Sequence, residues 1–132
     1  MNTSKLVLDS YAVLAYLRKE PDWERVRELL SGVSEGGAEL HISVINLAEV
    51  QYRILRVGKD TERALGAVAA LPLIVASADA HIPAVVQLKA RYAVSLADCF
   101  AVALAQELDC PVLTGDPEFR KLEELVTIEW LG

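Results

Sequence analysis

Cysteine is nearly missing from this chain: Cys99 and Cys110 are the only two, without a CxxC pair or the Cys/His spacing of a zinc site. Neither a disulfide framework nor structural zinc is supported, and both thiols are expected to be reduced and structural. Histidine is equally scarce. His41 and His81 share no ligand spacing and are expected to be ordinary structural residues. Long apolar runs are absent too. The longest uncharged stretch, Ala64 to Ala78, is too short to span a bilayer and is broken by Gly66 and Pro72. Met1 to Lys5 lacks a signal-peptide pattern, so a cytoplasmic protein with no membrane contact is the expectation. No internal repeat, low-complexity tract or linker interrupts the chain. Positive charge is in deficit, 13 Lys and Arg against 19 Asp and Glu, for a formal net charge of −6. That balance argues against a nucleic-acid partner, because phosphate affinity comes largely from Lys and Arg. Carboxylates that share divalent cations would offset this charge and reverse the local field, so acidity alone does not exclude RNA or DNA.

What the chain has is core material: 53% of its 132 residues are hydrophobic, enough for one packed domain over residues 1–132. Lys5 to Asp9 reads as a buried strand, and Ser10 to about Lys19 as a helix with Val13, Leu14 and Leu17 on its apolar face. A second helix is expected to start at Pro21 and Asp22, to carry Trp23, Val26, Leu29 and Leu30, and to end near Gly36-Gly37. Leu40 to Ser43 is a strand, and Ser43 can cap a long helix that Gly58 terminates after Val57. Asp60 to Leu71 is a helix, Leu73 to Ala76 a strand, and Asp79 to about Tyr92 a helix. Ser95 to Leu108 is an almost wholly apolar helix, Pro111 to Thr114 a strand, Pro117 to Glu124 a short helix and Val126 to Trp130 a last strand. This alternation predicts an α/β fold of three layers, α/β/α, around a mainly parallel central sheet of about five strands.

Four acids stand inside or at the ends of these apolar segments, where an ionised carboxylate is costly unless compensated: Asp9, Glu49, Asp98 and Asp116. No Lys or Arg is equally placed. In an open parallel sheet ligands bind outside the carboxyl ends of the strands, and Asp9, Ser43, Thr114 and Asp116 all fall at such ends. Each acid also has a purely structural reading. Asp9 can cap the helix that begins at Ser10. Glu49 shares a helix face with Ser43, Asn46 and Arg53, which reads equally as a solvated polar stripe. Asp98 takes the third position after a Ser95 N-cap, where an acid favours the helix dipole. Asp116 before Pro117 is a helix-start signal whose carboxylate keeps a free oxygen.

As an ordered set the motifs resemble a known family. Asp9-Ser10, Ser43 to Glu49 (SVINLAE), Ser95-Leu96-Ala97-Asp98 with Cys99-Phe100, and Leu113-Thr114-Gly115-Asp116 are similar to the successive acidic motifs of PIN-domain ribonucleases. Within these, they look most like the VapC-type toxins of toxin–antitoxin pairs. The resemblance covers nearly the whole chain. It implies a metal-dependent endonuclease that hydrolyses RNA phosphodiester bonds, with Asp9, Glu49, Asp98 and Asp116 as catalytic and metal-binding acids. Ser10, Ser43, Asn46 and Thr114 would support them or meet substrate. All-oxygen ligands favour Mg²⁺, with Mn²⁺ an alternative. The resemblance also implies a homodimer and a VapB-type antitoxin whose basic tail enters the acidic pocket.

Rival enzymes fit less well. A haloacid-dehalogenase-type phosphatase needs a second Asp two residues after Asp9, where Tyr11 stands. A receiver domain needs an acidic pair after the first strand and a Lys near the last, and neither is present. The remaining alternative is a catalytically inactive PIN-like module whose acids bind a basic peptide. Arg18, Lys19, Arg53, Arg56, Lys59, Arg63 and Arg91 are available to an RNA backbone, though each also reads as part of a solvated helix face.

Overall fold

The strand segments are short and apolar on both faces, so they need cover from two sides, and the computed structural model, which describes residues 4–132, provides it. The reading of Met1 to Lys5 as free of a leader lies largely outside the described residues. Five strands, β1 (Lys5–Leu8), β2 (Glu39–Ser43), β3 (Ile74–Ala76), β4 (Val112–Thr114) and β5 (Ile128–Trp130), form one sheet in the order β3-β2-β1-β4-β5. Every pairing is parallel.

Side chains alternate across this sheet with the strand period of two. Leu6, Leu8, Leu40, Ile42 and Leu113 point into one core, with Val13, Val26, Leu30, Val50 and Ile54 from α1 (Ser10–Leu17), α2 (Trp23–Gly32) and α3 (Val44–Val57). Val68 of α4 (Thr61–Ala69) closes its edge. Val7 and Val112 point the other way, onto α5 (Ile82–Arg91) and α6 (Leu96–Leu108). Helix α6 lies against β1, β2 and β4 while also touching α3 and α5, which is why it is buried all round from Asp98 to Ala105. Among the described residues no helix is long and apolar enough to cross a membrane.

Most element ends follow from local chemistry. Ser43 caps α3 by accepting from the Ile45 N–H, and Gly58 ends it at φ +70, its N–H returning to the Ile54 carbonyl. Four starts differ from expectation. Helix α2 begins at Trp23, and Asp22 sits in the left-handed region at φ 70 with no capping bond. Asp60, at φ 51, likewise precedes α4 without capping it. Asp is among the few residues that tolerate this conformation, so the same residue type that caps helices can also make such a turn. The short helix expected from Pro117 is of 3₁₀ type and spans Pro117–Leu122, and a 3₁₀ turn at Asp79–His81 precedes α5.

Chain direction matters most for function. From β1 the strands build outward through β2 to β3, and the chain then crosses back to place β4 on the other side of β1. The order therefore reverses between β1 and β4, and a crevice opens outside their carboxyl ends.

Candidate active site at the strand-order reversal

Asp9 follows β1 directly and Thr114 ends β4, so the reversal brings residues 105 positions apart into contact. The Thr114 hydroxyl donates to Asp9 Oδ2 at 2.5 Å, while Asp9 Oδ1 accepts from the Ala12 N–H at 2.9 Å. Asp9 is thus a helix cap, as its structural reading predicts, buried beneath the crevice. The same Thr114 oxygen accepts from the Asp116 N–H at 3.0 Å, which fixes the turn carrying Asp116. Asp116 in turn caps the 3₁₀ segment through the Glu118 N–H at 3.0 Å.

From the other side, α3 and α6 contribute Glu49 and Asp98. Ser10 donates to Glu49 Oε1 at 2.6 Å, and Arg53, one turn further along α3, donates to Glu49 Oε2 at 3.2 Å. Glu49 therefore has a cationic neighbour, as its shared helix face with Arg53 and their i, i+4 spacing lead one to expect. Asp98 stands at the first turn of α6, where its backbone N–H donates to the Ser95 cap. Among the described residues none of Asp9, Asp98 or Asp116 forms a salt bridge.

Ser10, Glu49, Asp98 and Asp116 line one open pocket of about 610 Å³, with Arg18, Arg53 and Lys89 also in its walls. Asp9 is 1% exposed and reaches the acids electrically rather than through the surface. Burial pushes its carboxyl up to about 7, and the nearby Asp98 and Asp116 add to the rise against the lowering effect of its two hydrogen bonds. Asp98 is pushed up to about 6, again chiefly by burial, with Asp116 and Glu49 contributing. The acids thus occupy a common field.

Ser43 and Asn46 fall elsewhere. Both are fully buried. Ser43 caps α3, and the Asn46 amide donates to the Ala97 carbonyl at 3.2 Å, tying α3 to the turn that holds Asp98, while its Oδ1 has no partner among the described residues. Neither lines the pocket. The histidines stand apart from it, His41 beside Glu39 and His81 beside Glu107, and both cysteines are free thiols.

By donor type the pocket suits a hard divalent cation, since its acids supply only oxygen and three of them lack a cationic partner. Their present placement is looser than a ligand set. Among the described residues no three His, Cys, Asp or Glu side chains are grouped closely enough to hold an ion. Each oxygen of Glu49 and of Asp9 is engaged by its own donor. Sequence reasoning also missed Tyr11 and Lys89 in the pocket wall, while Arg18, one of the cations it offered to an RNA backbone, does line it. For Tyr11 a signal existed in Gly115, whose missing side chain leaves room for the ring.

These features, acids from four separated motifs collected at the carboxyl ends of a parallel sheet, define a class of α/β site. The chain matches the PIN domain family over residues 6–125 and belongs to it. Among curated proteins none matches it in sequence. Solved structures share the fold. DNA-bound VapBC from Salmonella typhimurium is 22% identical at TM-score 0.72, covering 98% of this chain and 100% of that one. VapBC2 from Rickettsia felis, bound to a DNA fragment from their promoter, is 17% identical at TM-score 0.70, covering 97% and 99%. VapC20 from Mycobacterium tuberculosis, a Sarcin-Ricin loop cleaving toxin, is 16% identical at TM-score 0.66, covering 89% and 93%. At such identities the likeness establishes the fold alone.

Proposed function

We propose that this chain is a divalent-metal-dependent ribonuclease, the toxin of a toxin–antitoxin pair, working in the cytoplasm. The observation that carries the reading is the trio of Asp9, Asp98 and Asp116: acids without salt bridges, two of them with carboxyls held high, gathered at the strand-order reversal of a PIN domain. Such an arrangement is costly for folding and makes sense where charge is to be received. Asp9, Glu49 and Asp98 would hold a first Mg²⁺ or Mn²⁺, and Asp116 with Asp9 would help with a second ion or orient the attacking water. When bound, the metal would lower the pKa of water and stabilise charge on the phosphate.

The chain's own residues do the rest. Ser10 and Arg53 hold the Glu49 carboxylate in place. Thr114 fixes Asp9 and, through the Asp116 N–H, the turn opposite it. Asn46 secures the first turn of α6 beneath Asp98. Arg18 and Lys89, in the same wall, give the incoming phosphodiester a positive contact. A VapB-type antitoxin and a homodimeric state accompany the reading, supported by fold likeness to the VapBC assemblies.

One observation favours a second reading, an inactive module that binds a basic peptide: Glu49 already accepts from Arg53, as it would from a partner's arginine. Cleavage of single-stranded RNA by purified protein separates the two. The ribonuclease reading expects cleavage with Mg²⁺ or Mn²⁺, none with EDTA, and none from Asp98→Asn that still folds. Full activity in Asp98→Asn, or equal cleavage in EDTA, would sink it.

A further inference from the structure

Tyr11 is the aromatic residue of the pocket wall, in which Leu14, Ala93 and Val94 are the other apolar side chains. It is 42% exposed and lines the pocket beside Ser10, Asp98 and Asp116. Its ring edge rests on Gly115, the residue between Thr114 and Asp116. A Cβ added at Gly115 would lie 2.5 Å from Tyr11 Cε1, 3.0 Å from Cζ and 3.2 Å from the hydroxyl. The backbone at Gly115 does not need glycine, because it lies outside the left-handed conformation found at Gly36, Gly58 and Gly132. Room for the ring is what the missing side chain supplies. A half-exposed ring fixed in this way is preorganised: little side-chain freedom remains to be lost when something packs on it.

Carboxylates serve the phosphate end of a nucleotide and offer nothing to the apolar faces of a base. The ring offers that surface, at the same pocket and one residue from the Ser10 that holds Glu49. A path for the backbone leads away from it, since Arg18 and Arg53 line both this pocket and an adjoining groove of about 290 Å³ that also holds Arg56. Resting on the ribonuclease reading above, we infer that Tyr11 is the platform on which the nucleobase next to the scissile phosphate stacks, and that Gly115 holds this platform in place. The substrate class is then single-stranded or unpaired RNA, whose bases are free to be splayed onto an aromatic side chain.

Two oligonucleotides of one sequence test this, one intact and one abasic at the nucleotide beside the mapped cut, cleaved by wild type, Tyr11→Ala and Gly115→Ala. On intact RNA, Tyr11→Ala should raise KM about tenfold with kcat little changed, the size of loss usual when a stacking side chain is truncated. Gly115→Ala, whose new methyl displaces the ring, should move KM in the same direction. On abasic RNA, wild type and Tyr11→Ala should cleave alike, because the base that the ring serves is already gone. Equal losses on both RNAs would mean that the ring only braces the Gly115 turn, and would overturn the inference while leaving the ribonuclease reading intact. Unchanged RNA cleavage together with weakened binding of an arginine-bearing peptide would overturn it in favour of a peptide contact. Wild type that cuts no RNA would overturn the ribonuclease reading itself.

Discussion

Both ends of the sheet carry an acid-walled pocket, yet the two treat their carboxylates in opposite ways. At the amino ends of β4 and β5 a pocket of about 420 Å³ has Asp109, Glu123 and Glu124 in its walls, all of them exposed. At the carboxyl ends, Asp9 is 1% exposed and Asp98 8%. Water screens the first group, and its acids cost the fold little. The second group is desolvated and mutually repelling, so its carboxyls rise. The comparison teaches that the number of acids around a cavity says little. What marks a site is acids kept where the fold would be more stable without them.

Stability against pH breaks the comparison most severely. The folded state holds the Asp9 proton up to about pH 7, whereas the unfolded chain releases it near the ordinary value of 3.8. Between these values the folded state binds more protons, so stability falls as pH rises and is lowest above the folded pKa. Asp98 adds to the same window up to about 6. In urea denaturation with EDTA, Asp9→Asn, which keeps the helix cap, should flatten this decline and exceed wild type at pH 8 by on the order of 4 kcal/mol. Wild-type stability that is flat or rising from pH 4 to pH 8 would refute the account of the buried end. The exposed end supplies the control, since Glu123→Gln and Glu124→Gln should leave the wild-type profile in place.

A smaller effect sharpens how the buried end is wired. Thr114→Val keeps shape but removes the donor to Asp9 and the acceptor for the Asp116 N–H. Loss of about 1 to 3 kcal/mol is expected for buried groups left unpaired, together with a further rise of the Asp9 carboxyl. Denaturation at pH 5, with the Asp9 carboxyl followed by NMR titration, checks both.

Much of this was legible from the chain itself. The strands declared themselves as short apolar runs such as Lys5 to Leu8, and the α6 run around Asp98 announced burial on every side. Asp9, Thr114 and Asp116 could be assigned to strand ends because parallel β/α alternation fixes which end of each strand faces a given rim. Left-handed Asp22 and Asp60 were not legible, because the same residue type serves as cap and as turn, and tertiary context chooses. The partner of Asn46 was not legible for a related reason. Helical spacing sets its face, but only the position of α6 decides that the face turns inward onto Ala97. The contact between Tyr11 and Gly115 spans 104 positions and needs the strand order, which a parallel alternation alone leaves open.

Mn²⁺ binding, followed by the loss of the free-ion EPR signal in protein solutions at pH 7.5, tests the central claim most directly. Wild type and the Glu123→Gln, Glu124→Gln double variant should take up the ion alike, while Asp9→Asn and Asp98→Asn should lose uptake and remain folded. Undiminished Mn²⁺ uptake by Asp98→Asn, or its loss in the Glu123→Gln, Glu124→Gln variant, would contradict the assignment of the metal to the buried acids at the strand-order reversal.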